Sequence, residues 1–510
     1  MLKKYNLLVA VLGIAATFSI SSCRKDRVPN TPTGPEVLVP GPDANFYALT
    51  NDNKILLLNA KTPSSVTSQV TIAGLQTGEN ILGIDFRPAT GELYAVGSTS
   101  RIYVINPKTG ASRSISAAPF TPAINGASVA FDFNPTVDRI RLVTSNGQNL
   151  RINPETGAVQ IEDGAINGAA GARVSSVAYT MNKAGAATTV LFDIDAVNNK
   201  LYKQDPPNNG TLVEVGALGY DVEENGGFDI NPDGSVAIAA MSVAGKSSLF
   251  TIDVNTGKAA KIGDFAQTIT GLAIPTEAVA YAISANNELL IFNPLAAAPS
   301  PVVKAITGVA TGESILGIDM RPFNGQIYAL GSTNRIYTIN ASSGAATAVG
   351  TAGFTPVLAG TSFGFDFNPV VDRIRIVSNT VQNLRFNPAD ATVILDGPLV
   401  SVTAQVSGVA YTNNFFGTTT TVLYDIDFAN DRLVKQDPPN TGGLVDVGAL
   451  GVNVEAANGF DIGSTSGLAY GIFTVGGVQR LYSVNLTTGA ATAGATFTTA
   501  SRGFTLGLGF

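Results

Sequence analysis

Three features of the sequence predict an all-β chain. Short runs rich in Val, Ile, Tyr and Phe alternate in period two, turn clusters ending in glycine separate them, and the whole pattern occurs twice. No stretch of the body sustains a helical period. Gly is abundant at 54 residues and charged residues make up 14% of the chain, well below the roughly 25% typical of soluble domains. That balance suits a turn-rich β protein.

The duplication is read directly. "GENILGIDFRPATGELYAVGSTSRIYVIN" (Gly78 to Asn106) returns as "GESILGIDMRPFNGQIYALGSTNRIYTIN" (Gly312 to Asn340), and "FDFNPTVDRIRLV" (Phe131 to Val143) as "FDFNPVVDRIRIV" (Phe365 to Val377). "KQDPPN" is unchanged at Lys203 to Asn208 and Lys435 to Asn440. The body divides into a first copy over 44–277 and a second over 278–510.

Within the first copy a finer rhythm runs through "ILGIDFRP", "SVAFDFNP", "VSSVAYT", "NGGFDINP" and "ITGLAIP". Each of these opening strands is followed by alternating strands and by turns such as "NPKTG" (Asn106 to Gly110) and "NPETG" (Asn153 to Gly157). A four-stranded unit recurring about every 45 residues is the pattern of β-propeller blades, about five to a copy. Two closures are open. "TITGLAIP" (Thr268 to Pro275) can return to the first copy's opening strands and "RGFTLGLGF" (Arg502 to Phe510) to the second's, making two five-bladed propellers. Alternatively, "ITGLAIP" runs through "TEA" into "VAYAIS" and the last strand closes one ten-bladed ring. A duplicated unit that closes alone is simpler, so two rings are the preferred expectation.

The first residues carry an address. Lys3 and Lys4 precede an apolar stretch from Leu7 to Ile20, and "ISSC" ends at Cys23. A basic start, a hydrophobic run too short for a comfortable membrane span and small residues before a cysteine predict a lipoprotein signal over 1–22, with lipid on Cys23. Cys23 is the only cysteine, so no intramolecular disulfide and no thiolate metal site can form. Residues 23–43 then read as a lipidated cysteine and a Pro-rich tether. The expected location is a bacterial cell envelope, with the periplasmic and the surface side both open. The membrane is a partner only through the lipid anchor.

Composition excludes several chemistries. The chain has no histidine, which removes Ser-His-Asp hydrolysis, histidine general bases and the usual zinc sites. A net charge of −7 and a pI near 4.9 argue against nucleic acid as a partner. The absence of tryptophan removes the largest stacking platform for sugars.

Three motifs are candidates for function. Aspartates recur at equivalent places on the predicted inner strands: Asp85, Asp132 and Asp229, then Asp319, Asp366 and Asp461. Converging on a channel they could hold Ca²⁺, grip a polyol or act as an acid and base pair. The plainer reading, and the favoured one for any single aspartate, is that each accepts hydrogen bonds from the next blade. "KQDPPN" displays Lys203, Gln204 and Asp205, and again Lys435, Gln436 and Asp437, beside two rigid prolines, as a recognition loop or as a stiff connector. "FDIDAVNN" (Phe192 to Asn199) has an Asp-x-Asp spacing, yet Asn198 and Gln204 stand where a calcium loop needs glycine and glutamate, so an Asx turn is expected. No metal ligand set is assigned, and no cofactor is expected beyond the Ca²⁺ left open at the carboxylates.

"LGIDFRPATGELYAVGSTSRIYVINPKTG", "FDFNPTVDRIRLV" with "QNLRINPETG", and "QDPPN" together resemble a bacterial secreted family, domain of unknown function 4394, over nearly everything after the tether. The resemblance implies an extracytoplasmic location and a propeller-like repeat, with no catalytic residue to carry over. The expected function is therefore a lipid-anchored binding or interaction module of the envelope, with a glycan or an envelope protein as its partner. A carboxylate-dependent glycoside hydrolase is the alternative.

Overall fold

The computed structural model describes residues 37–400 and 403–510; the signal segment, Cys23 and the tether up to residue 36 lie outside the described residues. The described chain forms ten four-stranded antiparallel sheets, five from each copy, with two short 3₁₀ turns at Pro207–Asn209 and Pro439–Thr441. In the first copy the strands at one edge of the five sheets are Ile81–Phe86, Val129–Asn134, Val174–Tyr179, Val222–Ile230 and Ile269–Ala273. These edge strands adjoin one another in cyclic order, the last lying against both the first and the fourth. Ile315–Arg321, Phe363–Asn368, Val406–Tyr411, Ala456–Ile462 and Ser501–Leu506 do the same in the second copy.

Strand pairing decides between the two closures. Ile269–Ala273 pairs antiparallel with Asn45–Thr50, opposing Ala273 to Tyr47, and Ser501–Leu506 pairs with Ala280–Ser284, opposing Thr505 to Tyr281. The last strand of each copy pairs within its own copy, and Ile269–Ala273 does not join Ala280–Ser284 in one sheet as a single ring of ten sheets would require. The turn through Thr276 and Glu277 is a connection between two sheets rather than the middle of one.

Burial follows from this arrangement. The inner strands are covered on both faces by neighbouring sheets, so Val174–Tyr179 and Val406–Tyr411 are buried at every residue. The outermost strands, such as Val66–Thr71 and Val159–Glu162, are almost wholly exposed. Aromatic residues fill the wedge between sheets: Tyr94 meets Phe133 edge to face at 5.2 Å, and Tyr328 meets Phe367 at 5.1 Å. Near the centre the strands approach so closely that a Cβ on Gly227 would lie 2.2 Å from the Leu272 nitrogen.

The charged residues of "VDRIR" join sheet to sheet. Asp138 accepts two hydrogen bonds from Arg87 of the preceding sheet, at 2.9 and 2.5 Å. Arg141 donates to Asn149 and Asp163 of its own sheet region and to Asn208 of the next. Arg375 repeats the pattern with Asn383, Asp396 and Asn440. The two copies also touch: the Tyr281 hydroxyl donates to the Ala89 carbonyl at 2.8 Å, and the Gly509 N–H to the Thr90 carbonyl at 2.7 Å.

Candidate functional site

An inner strand is a sheet edge, so its backbone N–H groups on the channel side lack ladder partners. The six candidate aspartates supply them. Phe133 N–H donates to Asp85, Tyr179 N–H to Asp132 and Ile274 N–H to Asp229, at 2.8, 3.2 and 2.6 Å. In the second copy Phe367, Tyr411 and Leu506 donate to Asp319, Asp366 and Asp461 at 2.7, 2.9 and 2.6 Å. Each carboxyl thus pins its strand to the next.

The pins converge. One oxygen from each of Asp85, Asp132 and Asp229 lies within 4.8 Å of the others, and Asp319, Asp366 and Asp461 form an equivalent trio. Counting the residue before each backbone donor, the ring positions are Asp85, Asp132, Ala178, Asp229 and Ala273 in one copy, and Asp319, Asp366, Ala410, Asp461 and Thr505 in the other. All six aspartates are only 1% exposed. A space of about 10 Å³, roughly one water, lies between the inner strands of each copy, lined by residues such as Gly83 and Gly227 in the first and Gly317 and Gly408 in the second and by none of the six aspartates.

Three ionised carboxylates cannot sit this close together and this deeply buried. Burial first, then repulsion from Asp229, pushes Asp85 well above the usual aspartate range, and burial followed by Asp85 and Asp229 does so for Asp132. Burial raises Asp229 and Asp461 to about 7. Asp319 and Asp366 are raised for the same reasons. Thr505 Oγ lies 2.9 Å from Asp319 Oδ1 and 3.1 Å from Asp461 Oδ2 and accepts the Met320 N–H. One hydroxyl proton serves one carboxyl, so the second contact is satisfied when that carboxyl carries a proton of its own. Three carboxyls already holding backbone N–H groups also fall short of the 6–8 oxygens that Ca²⁺ takes. Protonation is the smaller step.

"KQDPPN" is an intersheet clasp as much as a display loop. Gln204 is buried and donates to the Pro207 carbonyl at 2.6 Å, while Asn149 of the preceding sheet donates to the same carbonyl and Arg141 to Asn208. Lys203 and Asp205 stay exposed, Lys203 lying over the Phe192 ring. Gln436 repeats the bond to Pro439, with Lys435 over Tyr424 and Asp437 exposed. In "FDIDAVNN", Asp195 accepts the N–H groups of Val197 and Asn198 as an Asx turn. Asp193 is wholly buried with both oxygens unpartnered, and burial raises its pKa.

The concave site lies elsewhere. A cleft of about 570 Å³, within the usual range for small-molecule sites, opens where the first copy meets the second. Tyr47 and Phe86, 5.4 Å apart, form part of one wall, and Phe416 and Phe510 come from the other copy. Phe416 is held by Phe323 at 5.3 Å and by the Arg113 guanidinium 5.2 Å above its ring. Glu92 lines the same space with Oε1 3.7 Å from Arg113, and its Oε2 is buried without a partner. Burial raises the Glu92 pKa, against the pull of Arg113 and Arg87. Thr276, in the connection between copies, also presents a buried hydroxyl with no partner.

The model of the family described as "Domain of unknown function (DUF4394)" matches residues 54–273 and again 288–506. The chain belongs to this family. No curated protein matches it. Among solved structures it is similar to the extracellular domain of the BT4673 system of B. thetaiotaomicron, described once as a one component and once as a hybrid two component system. Both share 12% identity at a TM-score of 0.25. The matches cover 88% and 90% of this chain but only 58% and 66% of the solved ones, less than two thirds of their length. Values this low assign neither fold nor function.

The two DUF4394 copies differ where the cleft is built. "YTMNKAG" of the first stands against "YTNNFFG" of the second, so Lys183 and Ala184 correspond to Phe415 and Phe416, and Glu92 corresponds to Gln326. Sequence reasoning weighed the positions on which the copies agree and missed these. The signal that could have found them is the exposed aromatic pair: Phe415 and Phe416 are 39% and 45% exposed.

Proposed function

We propose that this chain is a lipid-anchored, extracytoplasmic binding module of a bacterial envelope, built from two five-bladed β-propellers. The cleft between them is its ligand site. The cyclic order of inner strands and the closing strand of each copy support the propeller reading. The basic start, the apolar run and Cys23 support the anchor. No helix among the described residues is long and apolar enough to cross a membrane. The observation that carries the binding reading is the cleft itself, with aromatic walls and two unpartnered polar groups. The glycosidase alternative has little support at the six aspartates, which are buried and bonded to neighbouring strands.

The test is a thermal-shift screen of the full chain against envelope glycans and peptides, repeated with Thr276→Trp to fill the cleft. A ligand at a hundred times its Kd stabilises by about 2.7 kcal/mol, and that shift should vanish in the filled variant. A shift that survives filling places binding outside the cleft. In parallel, the chain should take up a labelled fatty acid and Cys23→Ala should not; absence of label on the parent chain counts against the anchor.

A further inference from the structure

We propose that the cleft takes a neutral oligosaccharide, a step that rests on the binding reading above and names its ligand class. The ionisable groups lining the cleft balance: Lys108 and Arg113 against Glu92 and Glu277. A site of this balance offers no net field to draw a charged ligand. Glu92 already faces the Arg113 guanidinium, with Arg87 also acting on it, so a cationic ligand would compete for a charge that is answered. What Glu92 Oε2 lacks is a hydrogen-bond donor, and what Thr276 Oγ lacks is either partner. Hydroxyl groups meet both needs without adding charge.

The walls fit the rest of such a molecule. A sugar ring presents polar edges and faces of C–H groups, which pack on the negative face of an aromatic ring. Tyr47, Phe86, Phe416 and Phe510 supply rings around the polar pair. Lys108 and Arg113 hold their own partners, the carbonyls of Thr465 and Pro322, and so tie the two copies together around the space. The volume of about 570 Å³ exceeds what a single sugar needs.

The experiment is calorimetric titration of the full chain with neutral trisaccharides of glucose, mannose and N-acetylglucosamine, beside trigalacturonate, trilysine and an uncharged aromatic tripeptide. At least one neutral trisaccharide should bind with a Kd below about 1 mM, and Glu92→Ala and Phe416→Ala should each weaken it about tenfold. Phe416 lies in an exposed loop, so its variant keeps the inference testable if Glu92→Ala fails to fold. Saccharide binding that neither variant weakens would overturn the assignment to the cleft. Binding of a charged ligand or the tripeptide alone, sensitive to both variants, would overturn the ligand class and leave the binding module standing. If no probe binds at about 10 mM, both readings fall.

Discussion

Arg87 and Arg321 occupy the same place in the two copies and hold the same kind of partner, yet their surroundings differ. The Arg87 side chain is 0% exposed and serves Asp138, Glu155 and, across the junction, the Gly325 carbonyl. Arg321 keeps 13% of its side chain exposed, its partner Asp372 keeps 34%, and Ala389 stands where Glu155 would. The same divergence separates Tyr47 from Tyr281. Tyr281 is 0% exposed beneath the segment that follows its closing strand, with Leu508 in the same core, whereas Tyr47 lines the cleft because Pro275 to Ala278 continue into the second copy. Repeated sequence builds repeated sheets, and the copies become unequal at the junction and at the few positions where their residues differ.

The largest effect should separate the two arginines. Arg87→Ala leaves Asp138 and Glu155 as buried, uncompensated carboxylates and should cost about 3–5 kcal/mol, against about 1 kcal/mol for Arg321→Ala, whose partner can hydrate. Urea denaturation of both variants measures this; equal losses would break the comparison.

Next comes the pH dependence of the two trios. Asp229 and Asp461 titrate near 7 in the fold against an ordinary value of 3.8, so between those pH values the folded chain holds protons that the unfolded chain has released. Their contribution to stability is complete below 3.8 and is lost as pH rises through about 7. The unfolding midpoint of each variant, followed from pH 4 to 8, should therefore show a flatter slope for Asp229→Asn and Asp461→Asn than for the parent. Chelator should leave the midpoint unchanged; a fall that Ca²⁺ restores would put a cation where protons are expected.

A smaller effect sharpens the one difference inside the trios. Thr505→Ala removes the hydroxyl between Asp319 and Asp461 and the acceptor of the Met320 N–H, and should cost about 1–2 kcal/mol in the same denaturation assay. The first copy, with Ala273 at that position, shows that the ring closes without it. Smallest of all are the exposed pairs Lys200 with Glu214 and Arg432 with Asp446, equivalent across the copies. Breaking either should leave the thermal midpoint within measurement error, because solvent screens both.

Much of this was legible in the residues. Period-two runs and glycine turns located the sheets, the five "ILGIDF"-like openings proved to be the innermost strands, and the recurrence of Asp85, Asp132 and Asp229 marked groups that the fold brings together. Two things were not legible. Whether "ITGLAIP" pairs with Asn45–Thr50 or runs on into Ala280–Ser284 depends on contacts between residues more than two hundred apart, and either pairing uses the same alternating pattern. Nor do Glu92, Thr276 and Phe416 share a motif, since they come from a strand edge, a connection and a loop of the other copy.

The sequence by itself determined the class of fold, the duplication and the list of impossible chemistries, because side-chain periodicity, turn residues and the absence of histidine are local facts. Only the tertiary structure decided that the last strand of each copy pairs within that copy, that the aspartates are buried pins between inner strands, and that a cleft lies between the copies. Those outcomes depend on which surfaces exclude water from one another, and burial is a property of the packed molecule rather than of any stretch of chain.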